Sequence, residues 1–121
     1  MSVFVKFETP KELSDKAYSL AEIARESGKI KKGTNEVTKA VERGSAAIVI
    51  MAKDVDPPEI LAHIPAICEE RNVTYVYVPS KAELGISIGL DKPTASIAII
   101  DVGKGKPICD EITNAVKALK K

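Results

Sequence analysis

The chain has 121 residues, 45% hydrophobic and 29% charged, with two cysteines, one histidine and no tryptophan. This supplies one compact core, whereas no stretch approaches the roughly 20 apolar residues that span a bilayer, and neither end carries an apolar leader segment. The expectation is one domain over residues 1–121, cytoplasmic or part of a cytoplasmic particle, with no membrane partner and, given a single histidine, no enzymatic role.

Val3 to Phe7 alternates and predicts a short first strand, with Pro10 just inside the start of a helix that Gly28 ends. Leu13, Ala17, Leu20, Ala21 and Ala24 keep helical spacing on that helix and predict its buried face. A basic turn, Lys29 to Lys32, leads to Gly33 and Thr34, which open a second helix carrying Val37, Ala40 and Val41 and ending at Gly44. The continuous apolar run Ala46 to Met51 predicts a strand buried on both faces.

Pro57 and Pro58 predict the start of a third helix, with Pro65 as a kink or early break. Val73 to Val78 predicts a strand, and Ser80 with Glu83 has capping-box spacing for a short helix running toward Gly89. Ala95 to Asp101 predicts another strand, Gly103 to Pro107 a flexible surface turn, and Asp110 to Leu119 a closing helix. This alternation predicts a three-layer α/β/α sandwich around a mixed, mostly parallel four-stranded sheet.

The net charge of +1 conceals a segregation. Between Lys29 and Arg43 five basic residues face only Glu36 and Glu42, whereas Lys53 to Asn72 holds five acidic residues against Lys53 and Arg71. Such asymmetry suggests a side that faces a polyanion.

Within the basic segment, Lys32, Glu36, Lys39 and Arg43 fall on one side of the second helix and its entry turn, and Asn35 joins the same edge. A helix N-terminus after a glycine and two lysines gathers free N–H groups, the positive dipole end and cations, so an anion should bind there. A carboxylate at Glu36 would repel a bare phosphate. It suits base edges instead, because guanine offers N–H donors that a carboxylate accepts, and such edges are open in RNA bulges and non-standard pairs. Two other readings stay open on the residues alone: an exposed helix on which Thr34 caps and Glu36 pairs with Lys32 or Lys39, and a site for a phosphate-bearing small molecule.

His63 has no second histidine at metal-binding spacing and is expected to be a packed or capping residue. Cys68 and Cys109 lack a C-x-x-C spacing and read as reduced thiols, so neither a metal nor a cofactor is expected.

The stretch Lys31 to Gly44, the run Asp54-Val55-Asp56-Pro57-Pro58-Glu59-Ile60 with His63, Ile64 and Pro65, then Cys68-Glu69-Glu70, and Tyr75 to Lys81 followed by Leu84-Gly85 together resemble the archaeal large-subunit ribosomal proteins called L7Ae. The resemblance covers nearly the whole chain. It implies an α/β/α sandwich that recognises the kink-turn, an RNA duplex interrupted by a bulge beside tandem sheared G·A pairs.

In that family the motif matching Gly33, Thr34, Asn35 and Glu36, with the lysine matching Lys39, contacts the sheared guanines, while Lys32 and Arg43 match backbone-contacting positions. The loop matching Gly89 to Pro93 covers an extruded nucleotide, which gives Leu90 an apolar contact and includes Asp91 and Lys92; Ile60 and Lys81 match positions near the same nucleotide. The implied partners are kink-turns of ribosomal RNA and of box C/D and H/ACA guide RNAs, ribonuclease P RNA, the large ribosomal subunit, and guide-particle core proteins met through shared RNA. A protein-interaction module with the same fold is the alternative. The sequence departs from the family pattern at Ile86 and Ile88, where small or polar residues are usual.

Overall fold

The computed structural model describes residues 11–55 and 62–119; the strand expected at Val3 to Phe7, the helix start at Pro57 and Pro58, and the candidate residue Ile60 lie outside them. The described elements are α1 (Lys11–Ser27), β1 (Lys29–Lys32), α2 (Thr34–Glu42), β2 (Ile48–Ala52), α3 (His63–Glu70), β3 (Thr74–Val78), α4 (Lys81–Ser87), β4 (Ser96–Asp101) and α5 (Lys106–Leu119). A 3-10 turn, Gly103–Gly105, joins the last two.

The apolar periodicity becomes burial. On α1, Leu13, Ala17, Leu20, Ala21 and Ala24 are buried, and on α2 so are Val37, Ala40 and Val41. Every residue of β2 is buried, as a strand covered on both faces requires. Side chains alternate across the sheet, so Ile48, Ile50, Val76, Val78, Ile97 and Ile99 meet α1, α4 and α5 on one face. Val49, Met51, Tyr75, Tyr77 and Ala98 meet α2 and α3 on the other. The result is the expected three-layer sandwich.

Among the described residues the sheet has four strands in the order β1-β4-β2-β3 and is mixed, but it is not mostly parallel. Only β2 and β3 pair in parallel, while β4 runs antiparallel to both β1 and β2. The reason lies between β3 and β4. Neighbouring parallel strands need a crossover that carries the chain back to the starting end of the sheet. Here α4 spans only seven residues and the chain turns back at once, so β4 enters from the end at which β3 leaves. That puts the start of β4 beside the carboxyl ends of β1, β2 and β3.

Two local readings are corrected. Lys29 to Lys32 is not a turn but the edge strand β1, whose Lys32 pairs with Ile97; backbone pairing with β4 makes it a strand despite three lysines and no apolar alternation.

Gly103 to Pro107 is not a loose turn either. The Gly103 amide donates to Asp101 (2.9 Å), the Lys104 amide donates to the Ser27 hydroxyl (3.0 Å), and Gly105 is buried beside Leu20. α5 therefore starts at Lys106, with Pro107 in its first turn, where the missing N–H would have no helical acceptor.

Candidate nucleic-acid interface

α2 begins in an unusual way. Gly33 carries φ 92 and ψ 145, a region that residues with a Cβ scarcely enter, and no side chain caps the helix. Thr34 is thus not the cap. Its hydroxyl-bearing relative one turn on, Thr38, folds its Oγ1 back onto the Thr34 carbonyl (2.8 Å). The Gly33 amide donates to the Ser96 carbonyl (3.1 Å), which fastens the entry to the start of β4, and the Gly33 carbonyl accepts the first helical bond from Val37 (2.9 Å). The first turn leaves N–H groups without helical acceptors, and Lys32, Asn35 and Glu36 beside it are exposed.

Glu36 and Lys39 form the ion pair of the exposed-helix reading, 3.6 Å apart, with side chains 49% and 57% exposed. A pair this open contributes about 0 to 1 kcal/mol and is easily exchanged for a ligand. Arg43 caps the far end of α2, about 14 Å along the axis from Thr34 at 1.5 Å per residue. It shares the face of Lys39 but not the immediate surroundings of Gly33.

The second component is the segment after α4. Ser80 caps α4 by accepting from the Glu83 amide (3.2 Å), the expected half of a capping box. The other half comes from elsewhere. The Ser80 amide donates to the Tyr18 hydroxyl (3.0 Å), which itself donates to the Ser80 carbonyl (3.2 Å). Burial raises the Tyr18 phenol above its ordinary pKa, in keeping with a hydroxyl that remains a donor. Asp54, just past β2, accepts from the Lys81 amide (2.8 Å) and ties α4 to the sheet.

α4 closes in a Schellman motif. The Gly89 amide donates to the Ile86 carbonyl and the Leu90 amide to the Gly85 carbonyl, both at 2.9 Å, with Gly89 at φ 80. The Thr94 amide then returns to the Lys81 carbonyl (3.0 Å), and Gly85 leaves room for the Lys92 carbonyl where a Cβ would collide. Leu90, Asp91 and Lys92 are therefore presented by a segment anchored at both ends. Ile88 is buried in the core, whereas Ile86 is 68% exposed.

The two components meet. An open hollow of about 520 Å³ is lined by Lys32, Gly33, Leu90, Asp91, Lys92 and Thr94, among others. A smaller one of about 360 Å³ has Lys31, Lys32 and Glu36 on one side and Ile88 and Leu90 on the other. Lys32 and Leu90 border both. Of the candidate residues, Lys32, Gly33, Glu36, Leu90, Asp91 and Lys92 are brought together here, while Lys81 supports the segment through its backbone.

Reasoning from the residues missed Asp54 and Tyr18 as supports, since each acts on a backbone far away in sequence. It also misplaced His63. The imidazole is exposed, and its Nε2 lies 2.8 Å from Thr38 Oγ1. This hydrogen bond joins α3 to α2. Among the described residues, no cluster of histidine, cysteine or carboxylate groups could hold a metal, and no helix is long and apolar enough to cross a membrane.

The same architecture occurs in a solved structure, the 15.5kD RNA binding protein of Giardia lamblia, which is 34% identical and superposes with a TM-score of 0.93, covering 98% of this chain and 99% of that one. A family model matches residues 15–108, from the first turns of α1 into α5 and across both components of the edge. With fold, edge and sequence in agreement, the chain belongs to the ribosomal protein L7Ae/L30e/S12e/Gadd45 family.

Proposed function

We propose that this chain binds RNA at the edge formed by α2 and the segment 89–93, and that its target is the kink-turn. The observation that carries this reading is the hollow shared by Lys32, Gly33, Leu90, Asp91 and Lys92, with Glu36 and Leu90 facing across its smaller neighbour. A bulge flanked by G·A pairs needs two things side by side: acceptors and donors for exposed base edges, and an apolar cover for an extruded nucleotide. Glu36 accepts from guanine N–H groups once it leaves Lys39, and Asn35 and Lys39 donate to neighbouring acceptors. Leu90 covers the extruded base, and Lys32, Arg43 and Lys92 neutralise phosphates.

No chemical step is involved. A preformed edge that fits the bent conformer better than the extended one shifts the RNA toward the bend. In the cell, we further propose, the targets would be kink-turns of the large ribosomal subunit, of box C/D and H/ACA guide particles and of ribonuclease P, in cytoplasmic ribonucleoproteins of an archaeon whose protein partners are met through the shared RNA.

The test compares binding to a kink-turn RNA with binding to the same RNA carrying Watson–Crick pairs in place of its G·A pairs, at one fixed salt concentration. Tight binding to the first alone is expected, and Glu36→Ala should cost that complex about 1 to 3 kcal/mol while leaving duplex binding unchanged. Equal, weak binding to both RNAs would reduce the edge to a generic basic surface and favour a protein-interaction module.

A further inference from the structure

Arg25 has no part in the edge described so far. It lies exposed in the last turn of α1, and its guanidinium rests on the backbone of Gly89: a Cβ on that glycine would sit 2.6 Å from Cζ and 2.7 Å from Nε and Nη2. Only a residue without a side chain leaves the guanidinium this place. Gly89 in turn stands between Ile88 and Leu90, both of which line the smaller hollow opposite Lys31, Lys32 and Glu36.

Two ordinary explanations for such an arginine fail. A surface arginine commonly pairs with a carboxylate, yet among the described residues none pairs with Arg25, although Glu22 and Glu26 stand on the same helix. A cation near a helix C-terminus can also satisfy its last carbonyls. Here the Ile86 and Gly85 carbonyls already accept from the Gly89 and Leu90 amides, so Arg25 is not needed for those two bonds. The guanidinium is thus a planar fork of five donors held at Gly89, whose neighbours Ile88 and Leu90 line the same hollow as Lys31 and Lys32, and such a fork suits bidentate recognition of a phosphate.

We propose that Arg25 is a further RNA-binding residue, its guanidinium holding a backbone phosphate next to the nucleotide that Leu90 covers. The C-terminal turn of α1 thereby becomes a third component of the edge. The identity of that nucleotide rests on the kink-turn reading above, whereas the phosphate contact requires only that RNA lies along this edge.

The experiment measures dissociation constants of the wild type, Arg25→Gln and Arg25→Lys for the kink-turn RNA and its Watson–Crick counterpart across a potassium chloride series, with thermal melts of all three proteins. Arg25→Gln should weaken kink-turn binding about tenfold at low salt and flatten the slope of log Kd against log salt by about 0.7 to 0.9, the loss of one phosphate contact. Its melting temperature should not move, and Arg25→Lys should keep the slope. An Arg25→Gln protein with unchanged affinity and slope would overturn the proposal while leaving kink-turn discrimination by the wild type intact. A lowered melting temperature with an unchanged slope would make Arg25 a structural prop and also overturn it, as would a slope lost equally in Arg25→Lys. If the wild type fails to discriminate the two RNAs but Arg25→Gln still flattens the slope, the phosphate contact stands and the kink-turn reading falls.

Discussion

At the scale of single residues, Gly33 sets the interface. Its positive φ with extended ψ turns β1 into α2 within one residue, and a Cβ there would meet nothing within 4 Å, so substitution carries backbone strain with no steric clash. Gly33→Ala should therefore lower unfolding stability by about 1 to 3 kcal/mol, read as a shift in the urea midpoint with an unchanged m-value. An alanine variant as stable as the wild type would mean that the entry to α2 relaxes readily. The functional need for glycine here was legible in the sequence, since Gly33 stands between two lysines and a helix. A glycine there is free to take positive φ, and the bond of its amide to the Ser96 carbonyl, 63 positions away, is what only the fold supplies. Ile86 and Ile88 show the same limit: two isoleucines two positions apart, one exposed and one buried, are told apart only by which way α4 faces.

Among the elements, α4 is the one whose position matters most to the edge, and it is held from outside. Ser80 and Glu83 announce its start in the sequence, but the reciprocal bond comes from Tyr18 on α1 and the tether to β2 from Asp54. Tyr18→Phe removes the hydroxyl that bonds both the Ser80 amide and the Ser80 carbonyl, and should cost about 1 to 3 kcal/mol, because both groups are left without that partner. If α4 positions Leu90 as the geometry suggests, amide hydrogen exchange at Gly89 and Leu90 should quicken in that variant. Exchange unchanged at those amides would mean that the Schellman motif alone fixes the segment. β1 is the contrasting case. Four residues with three lysines carry no strand signal, and only the pairing of Ile30, Lys31 and Lys32 with Ile99, Ala98 and Ile97 makes them one.

Across the whole molecule, the buried phenols tie stability to alkaline pH. Burial, and then the hydrogen bond donated to Glu69 (2.6 Å), hold the Tyr75 phenol far above its ordinary range, and burial raises Tyr18 as well. Below about pH 10 both phenols are neutral whether the chain is folded or not, so their contribution is fully present there. Above it the unfolded chain ionises while the folded one resists, and stability falls as pH rises toward the folded-state values. Denaturant midpoints at about pH 8 and pH 11 should show this loss, and Tyr75→Phe should show a smaller one. Equal losses in both proteins would assign the effect to other groups.

The sequence by itself determined what local chemistry and periodicity can determine: the apolar faces of α1 and α2, the doubly buried β2, the glycine stops at Gly28 and Gly44, the glycine entry to α2 at Gly33, and the exposed polar and charged residues of α2. Each of these depends on neighbours within about two helical turns. The direction of β4, the strand character of Lys29 to Lys32, the supports from Tyr18 and Asp54, and the meeting of Arg25 with Gly89 were decided only by the tertiary structure. The direction of β4 follows because the segment after α4 doubles back along it, the Thr94 amide returning to the Lys81 carbonyl, which brings β4 and that segment to the carboxyl ends of the other strands. Lys32 and Leu90, 58 positions apart, thus border the same hollow for a reason of topology that no local pattern encodes.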